Sequence, residues 1–227
     1  MAEAHTIIAI DGPSGAGKGT VARAVAAKLG YQHVDTGAMY RAVAWKAKLE
    51  KVAFDDEEGL SKLTERVTFG FKEGRTVIDG DDVTEAIRTP EIDVAAAAVA
   101  SLPDVRRALV ARQRALGECG GLVMEGRDIG TVVFPNATVK IYLDATADER
   151  ARRRAADSAH ASGRGHDLAF VATALATRDE LDRTRAASPL KLAEDADLVD
   201  TTGVPIEQVV QRVLTLVHAK LGRSDSE

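Results

Sequence analysis

The stretch Gly12-Pro13-Ser14-Gly15-Ala16-Gly17-Lys18-Gly19-Thr20 constrains this chain more than any other. It follows an apolar run, residues 6–10 (TIIAI), and runs into residues 18–29, where Ala, Val and Leu recur at helical spacing before Gly30. A buried strand, a glycine-rich turn and a helix N-terminus, in that order, make a cradle for phosphate oxygens. Glycines let backbone N–H groups converge, the helix presents the positive end of its dipole, and Lys18 adds a point charge. The spacing is glycine, four residues, then Gly-Lys, which is that of a phosphate loop. It predicts a nucleoside triphosphate, foremost ATP, bound by residues 12–20.

One position departs from the general pattern, which has Ser or Thr directly after the lysine to meet Mg²⁺. Here Gly19 stands there and Thr20 follows. The expectation is that Mg²⁺ has no firm protein ligand and is held by phosphates and water, with Thr20 and Glu125 reaching it through water. The Gly-Lys-Gly-Thr ending resembles the loop of nucleoside monophosphate kinases. No Asn-Lys-x-Asp guanine-reading motif and no Ser-Gly-Gly-Gln transporter signature occur.

Beyond the loop, short strands are expected at 31–34, 122–125, 138–143 and 197–200, and helices at 37–50, 103–118, 146–160, 167–187 and 205–221. Strands alternating with helices point to an α/β fold, a doubly wound parallel five-stranded sheet covered on both faces. Residues 66–90 break the rhythm. Val67 to Phe71 and Thr76 to Asp79 alternate apolar and polar positions around a turn at residues 72–75, which predicts a small antiparallel β insertion. The length of 227 residues suits one domain with insertions. Its expected parts are a core (5–50, 119–147, 188–222), an insertion-bearing region (51–118), an Arg-rich helical lid (148–187) and a disordered tail (223–227).

The formal net charge is −5, which argues against a general nucleic-acid binder. One cysteine, Cys119, precludes an intrachain disulfide. No apolar run approaches the roughly 20 residues that span a bilayer, and the N-terminus lacks a signal-peptide pattern. The expectation is a cytoplasmic protein with no membrane partner. The five histidines are scattered without metal spacing and receive no catalytic role.

Two further blocks promise a second substrate site. Asp35-Thr36-Gly37-Ala38-Met39-Tyr40-Arg41 opens the second helix, and Glu125-Gly126-Arg127-Asp128 lies past the end of a strand. Ligands of open α/β sheets bind outside that edge, so both blocks should converge on the phosphate loop. Arg178, Asp182 and Arg185 stand at i, i+4 and i+7, one helix face. Arg150, Arg152, Arg153 and Arg154 form a dense basic run. By itself that run reads as a solvated face; its functional reading is a lid over the ATP phosphates, with Gly163 and Gly165 at its tip.

GPSGAGKGT, DTGAMYR, EGRDIGTVVFP and RDELDRTR, in this order and spacing, resemble the bacterial cytidylate kinase family over nearly the whole chain. The resemblance implies phosphoryl transfer from ATP to CMP or dCMP with Mg²⁺, by a monomer. It implies that Arg41, Arg127 and Arg185 hold the CMP phosphate, with Lys18, Arg127 and Arg185 acting on the transferred group. Arg178 and Asp182 would bind the sugar, Arg106 and Asp128 would read the cytosine edge, and Thr36 would contact the nucleotide. Arg153 is the lid residue expected at ATP. The family pattern carries a serine where this chain has Ala97; Ser101, four residues later on the same helix face, is the candidate substitute. Two other functions stay open: another small-molecule kinase, of UMP/CMP or shikimate type, and a nucleotide-binding regulatory module without turnover, motivated by Gly19.

Overall fold

The computed structural model describes residues 5–72, 74–157 and 167–222; the expected lid tip at 158–166 and the tail at 223–227 lie outside them. From the N-terminus, β1 (Ile7–Asp11) leads through the glycine-rich loop into α1 (Lys18–Leu29). β2 (Gln32–Asp35) runs directly into α2 (Thr36–Glu50). Next come α3 (Glu57–Arg66), the strands β3 (Phe69–Lys72), β4 (Arg75–Ile78) and β5 (Asp81–Asp82), and the helices α4 (Pro90–Ser101) and α5 (Pro103–Leu116). β6 (Leu122–Gly126) is followed by a single π-helical turn at Ile129–Val133 and by β7 (Val139–Asp144). The chain closes with α6 (Ala147–Ala156), α7 (Leu168–Thr184), β8 (Asp197–Asp200) and α8 (Ile206–Leu221).

The main sheet has five parallel strands in the order β2-β6-β1-β7-β8. β1 is central, so the phosphate loop leaves the middle of the sheet. The strands are short apolar runs because both faces are covered; every residue of β6 is buried. One face is packed by α1 and α8, through Val21, Val25, Val213 and Val217. The other carries α2, α3, α4 and α5, through Met39, Val43, Leu60, Leu63, Val99 and Leu109. The insertion is a separate antiparallel sheet, β3-β4-β5. The helices α6 and α7 share a small cluster of their own, Ala151, Val171 and Leu175. No described helix is long and apolar enough to cross a membrane.

The expected core elements occur, each within a few residues of its expected bounds. The sequence reading lacked α3 and β5 and placed only Ala97 and Ser101 of α4 on a helix. It also ran the 167–187 helix too far. α7 ends at Thr184, and Arg185 caps it with extended ψ 138°. Arg178 and Asp182 therefore share a helix face, whereas Arg185 reaches the same region from the departing chain.

Candidate active site

The sheet register brings the three blocks together. Asp11 pairs opposite Gly126, and Asp35 opposite Glu125, so the strand ends carrying 12–20, 35–41 and 125–128 are neighbours. They line one open cleft of about 930 Å³, near the upper end of the about 300–1,000 Å³ usual for small-molecule sites. Ser14 to Thr20, Thr36, Arg41, Arg106, Glu125, Arg127, Asp128, Arg153, Arg178, Asp182 and Arg185 all face it. Of the expected site residues, Gly12 and Pro13 are the exceptions; they lie buried behind the loop.

The loop is pre-shaped. Lys18 folds back so that Nζ donates to the Pro13 carbonyl at 2.7 Å. Burial, helped by the Arg127 guanidinium, pulls the Lys18 ammonium down to about 7. A cation so destabilised is set up to gain from an arriving anion. Behind the loop, Gly15 has φ +82°, and a Cβ there would sit 2.9 Å from the Arg150 Cβ. Arg150 is buried, donating to the Ser14 carbonyl at 3.1 Å and to the Asp179 carboxylate.

That contact divides the basic run. Arg150 buttresses the loop from behind, and Arg152 points outward with 62% of its side chain exposed. Only Arg153 and Arg154 face the cleft. Arg153 is held by Glu149 at 2.9 Å and by the Thr201 carbonyl at 2.5 Å, on the loop side. Helical spacing sets Arg152 apart: Arg150, Arg153 and Arg154, at i, i+3 and i+4, lie on one side of α6, and Arg152 lies across from them.

The departure at Gly19 has a steric partner. A Cβ on residue 19 would meet Glu125 Oε1 at 3.1 Å. Glu125 is buried at 6% exposure, and its Oε1 lies 3.1 Å from His33 Nε2. An acidic group thus stands where the usual hydroxyl would have been. Among the described residues no three His, Cys, Asp or Glu side chains form a metal cage. A lone carboxylate beside a phosphate loop nevertheless fits Mg²⁺, which takes one or two carboxylates and fills its shell with phosphates and waters.

Across the cleft, positive charge is crowded. Arg127 Nε donates to Asp182 Oδ2 at 2.8 Å, and Arg185 Nη1 lies 3.4 Å from Asp182 Oδ1. Arg178 is half-buried beside Arg127 and Arg41, and desolvation first, then those neighbours, push its guanidinium down to about 10. Burial and the nearby Arg106 likewise lower Arg185. Burial raises Asp182, but Arg127, Arg178 and Arg185 outweigh it, so Asp182 stays ionised to lower pH than a free carboxylate. Arg106 Nη2 meets Asp128 Oδ2 at 2.5 Å, and its guanidinium lies 5.4 Å from the Tyr40 ring centre. Two buried donors in this wall, Arg106 Nε and Arg185 Nη2, have no hydrogen-bond partner. Buried donors normally find one; Arg185 Nη2 instead has the Asp128 carboxylate 3.7 Å away.

Thr36 faces the cleft, with its hydroxyl donating to the Glu125 carbonyl at 2.7 Å. Ala97 and Ser101 both face it, and Ser101 Oγ donates to the Ala98 carbonyl at 2.7 Å. Several site residues went unremarked in the sequence. Arg88 lines the cleft. His33 meets Glu125. Asp11 accepts from the backbone N–H groups of Ile129 and Gly130 at 2.9 and 2.7 Å, which ties the π-helical turn after Asp128 to β1. A π-helical turn often marks a functional site. For Asp11 the only sequence signal was its place at a strand end.

The sequence model of the family described as cytidylate kinase matches residues 8–219. A cytidylate kinase of Geobacillus sp. (strain WCH70) is 48% identical over 219 residues, covering 95% of this chain and 97% of the relative. A cytidylate kinase of Pelotomaculum thermopropionicum is 49% identical over 217 residues, covering 93% and 96%. An uncharacterized protein of Eubacterium ventriosum, of solved structure, superposes with a TM-score of 0.55 at 11% identity, covering 94% and 99%, which is a likeness of fold. With the family model spanning nearly the whole chain and relatives at almost half identity, this chain belongs to the cytidylate kinase family.

Proposed function

We propose that this chain transfers the γ-phosphoryl group of ATP to CMP or dCMP, giving ADP and CDP or dCDP. The observation that carries the proposal is the facing of two anion sites across one cleft. The loop with Lys18 lies on one side; Arg41, Arg127, Arg178 and Arg185 lie on the other. An acceptor phosphate is already an anionic nucleophile, so a strong general base is not needed. What is needed is to align two polyanions against their repulsion and to neutralise the group in transit.

Lys18 and the loop amides hold the β- and γ-phosphates, and Arg153 approaches them from the lid. Arg127 and Arg185 clamp the acceptor phosphate with Arg41, in the forked geometry that lysine lacks. Mg²⁺, when bound with ATP, neutralises and orders the phosphate oxygens. Glu125, held by His33, orders water in that shell, and Thr20 lies alongside. Asp128 accepts from the cytosine amino group while Arg106 donates to the neighbouring acceptors. Asp182 and Arg178 take the sugar, Thr36 lies against the nucleotide, and Ser101 stands in for a hydroxyl at Ala97. The 148–187 lid and the 51–118 region close over the core before transfer, excluding water as a competing acceptor. All these groups come from one chain, which suits a monomer. The net charge of −5 suits small-molecule substrates rather than nucleic acid.

A coupled ADP-release assay across CMP, dCMP, UMP, AMP, GMP and shikimate tests this. The expected result is the highest kcat/KM with CMP and dCMP. A preference for AMP or shikimate overturns it. Tight ATP binding with no turnover on any acceptor would instead favour a regulatory module.

A further inference from the structure

The Asp93 carboxylate bridges two arginines from different parts of the fold. Its Oδ1 accepts from Arg41 Nε at 2.8 Å, and its Oδ2 accepts from Arg154 Nη2 at 3.0 Å. Arg41 belongs to α2, Arg154 to the lid helix α6, and Asp93 to the first turn of α4, where Thr89 caps and Pro90 starts the helix. The separations are 52 and 61 residues, so no local pattern requires the arrangement. Both arginines line the cleft, whereas Asp93, 9% exposed, does not. The carboxylate stands behind the two cations that face the substrate.

We infer that Asp93 is a positioning residue for phosphoryl transfer: it aims Arg41 at the acceptor phosphate and draws Arg154 of the lid to the same phosphate, so that the acceptor site and the lid share one hinge-pin of charge.

Two other roles fit the same contacts less well. Asp93 could act as a competitor that mimics the acceptor phosphate. A competitor that mimics phosphate would pair with Arg41 through two parallel N–H groups. Asp93 takes Nε alone, and Arg41 Nη1 lies by the cleft wall, where a Cβ on Gly37 would be 3.3 Å from it. Asp93 could also serve only to neutralise buried charge. That role needs one partner; here the two carboxylate oxygens are divided between a core helix and the lid. The electrostatics agree with the positioning role. Burial lowers Arg154 and Arg41 adds to it, while Asp93 and then Asp157 oppose this, so Asp93 is the largest charge offsetting repulsion between two half-buried cations. A carboxylate between them lets both guanidinium groups point forward.

This inference rests on the CMP kinase reading, and the two fail differently. A chain that does not turn over CMP defeats that reading; normal turnover with an indifferent Asp93 defeats only this one. Asp93→Asn keeps the shape and removes the charge. The expected result is a CMP KM raised about tenfold and a kcat lowered by a similar factor, with the ATP KM changed less than twofold, in line with the cost of disturbing a supporting shell. Asp93→Glu, which restores the charge, should recover part of the loss. Arg154→Met should produce the same CMP-side signature, and the double variant with Asp93→Asn should be no worse than the more damaged single, as coupled residues require. Thermal unfolding of each variant and titration of CMP binding without ATP accompany the kinetics, so that a folding defect is separated from lost binding. A lowered Tm with unchanged CMP KM and kcat per folded enzyme, tighter CMP binding in Asp93→Asn, or additive effects in the double variant would each overturn the inference.

Discussion

The Glu125 carboxylate fills the space that a side chain on residue 19 would need, its Oε1 3.1 Å from the position of a Cβ there. The missing hydroxyl after Lys18 and the acid at the end of β6 are therefore two sides of one arrangement. Adding even a methyl group at 19 must displace the carboxylate by a few tenths of an ångström. Gly19→Ala and Glu125→Gln should both raise the Mg²⁺ concentration needed for half-maximal rate, by about tenfold given the usual cost of disturbing a metal's supporting shell. Magnesium titrations at saturating ATP and CMP check this, with Mg²⁺-dependent ATP binding as a readout independent of turnover.

Lys18 carries function at the expense of stability. Lys18→Met should lower kcat on the order of 10³-fold, as for loss of an electrostatic contact to the transition state. The same change should raise Tm, because a buried cation facing Arg127 is removed, by about 2–4 °C per kcal/mol relieved in a chain of this size. The pH dependence has a definite sign. The folded-state value is about 7 against 10.5 unfolded, so between these pH values the unfolded chain holds a proton that the folded chain lacks, and this group adds stability as pH rises. The Tm advantage of Lys18→Met should accordingly be largest near pH 6–7 and shrink towards pH 10. Melting curves across that range decide it.

On the proposed function, Asp128 would separate cytosine from uracil through the exocyclic amine. Asp128→Asn should cut the ratio of kcat/KM for CMP over UMP by about 10²-fold or more, since a site built to pair a polar group discriminates strongly against its absence. The ratio is measured within one preparation, so a partly unfolded sample does not disturb it.

The basic run of α6 should divide in stability assays. Arg150→Met leaves Asp179, 2% exposed, without its cation and should cost about 3–5 kcal/mol. Arg152→Ala, at an outward position, should stay within about 0.5 kcal/mol of the parent. Denaturant unfolding of the two variants separates a buttress from a solvated charge.

The fold was legible wherever hydrophobic period and glycine placement agreed. β1, the loop and α1 read directly, because TIIAI is an apolar run that must be buried and the glycines of GPSGAGKGT mark a turn before a helix. The acceptor blocks read because they start at strand ends, where topology alone brings ligands. What escaped the sequence was long-range or apolar-poor. Within α3, EEGLSKLTER buries only Leu60 and Leu63 among its apolar side chains, too few to mark a face. The alanines of α4 fit any helix face, so their pattern names none. His33 meets Glu125 across 92 residues, and Arg150 meets Ser14 across 136. No spacing rule distinguishes Arg150 from Arg153, since each differs from its neighbours only in what the fold places opposite it.

The lid cluster of Ala151, Val171 and Leu175 is small, and much else at this end of the molecule is ionic: Arg150 with Asp179, Arg154 with Asp93, Arg185 with Asp182. A body with so little oil beneath it has no strong preference for being shut. Its cations already hold carboxylates, and arriving phosphates would compete for them. On the proposed function, two polyanions would draw this end together more firmly than one, so a half-loaded enzyme would stay ajar and ATP would be spared from water until its acceptor arrived.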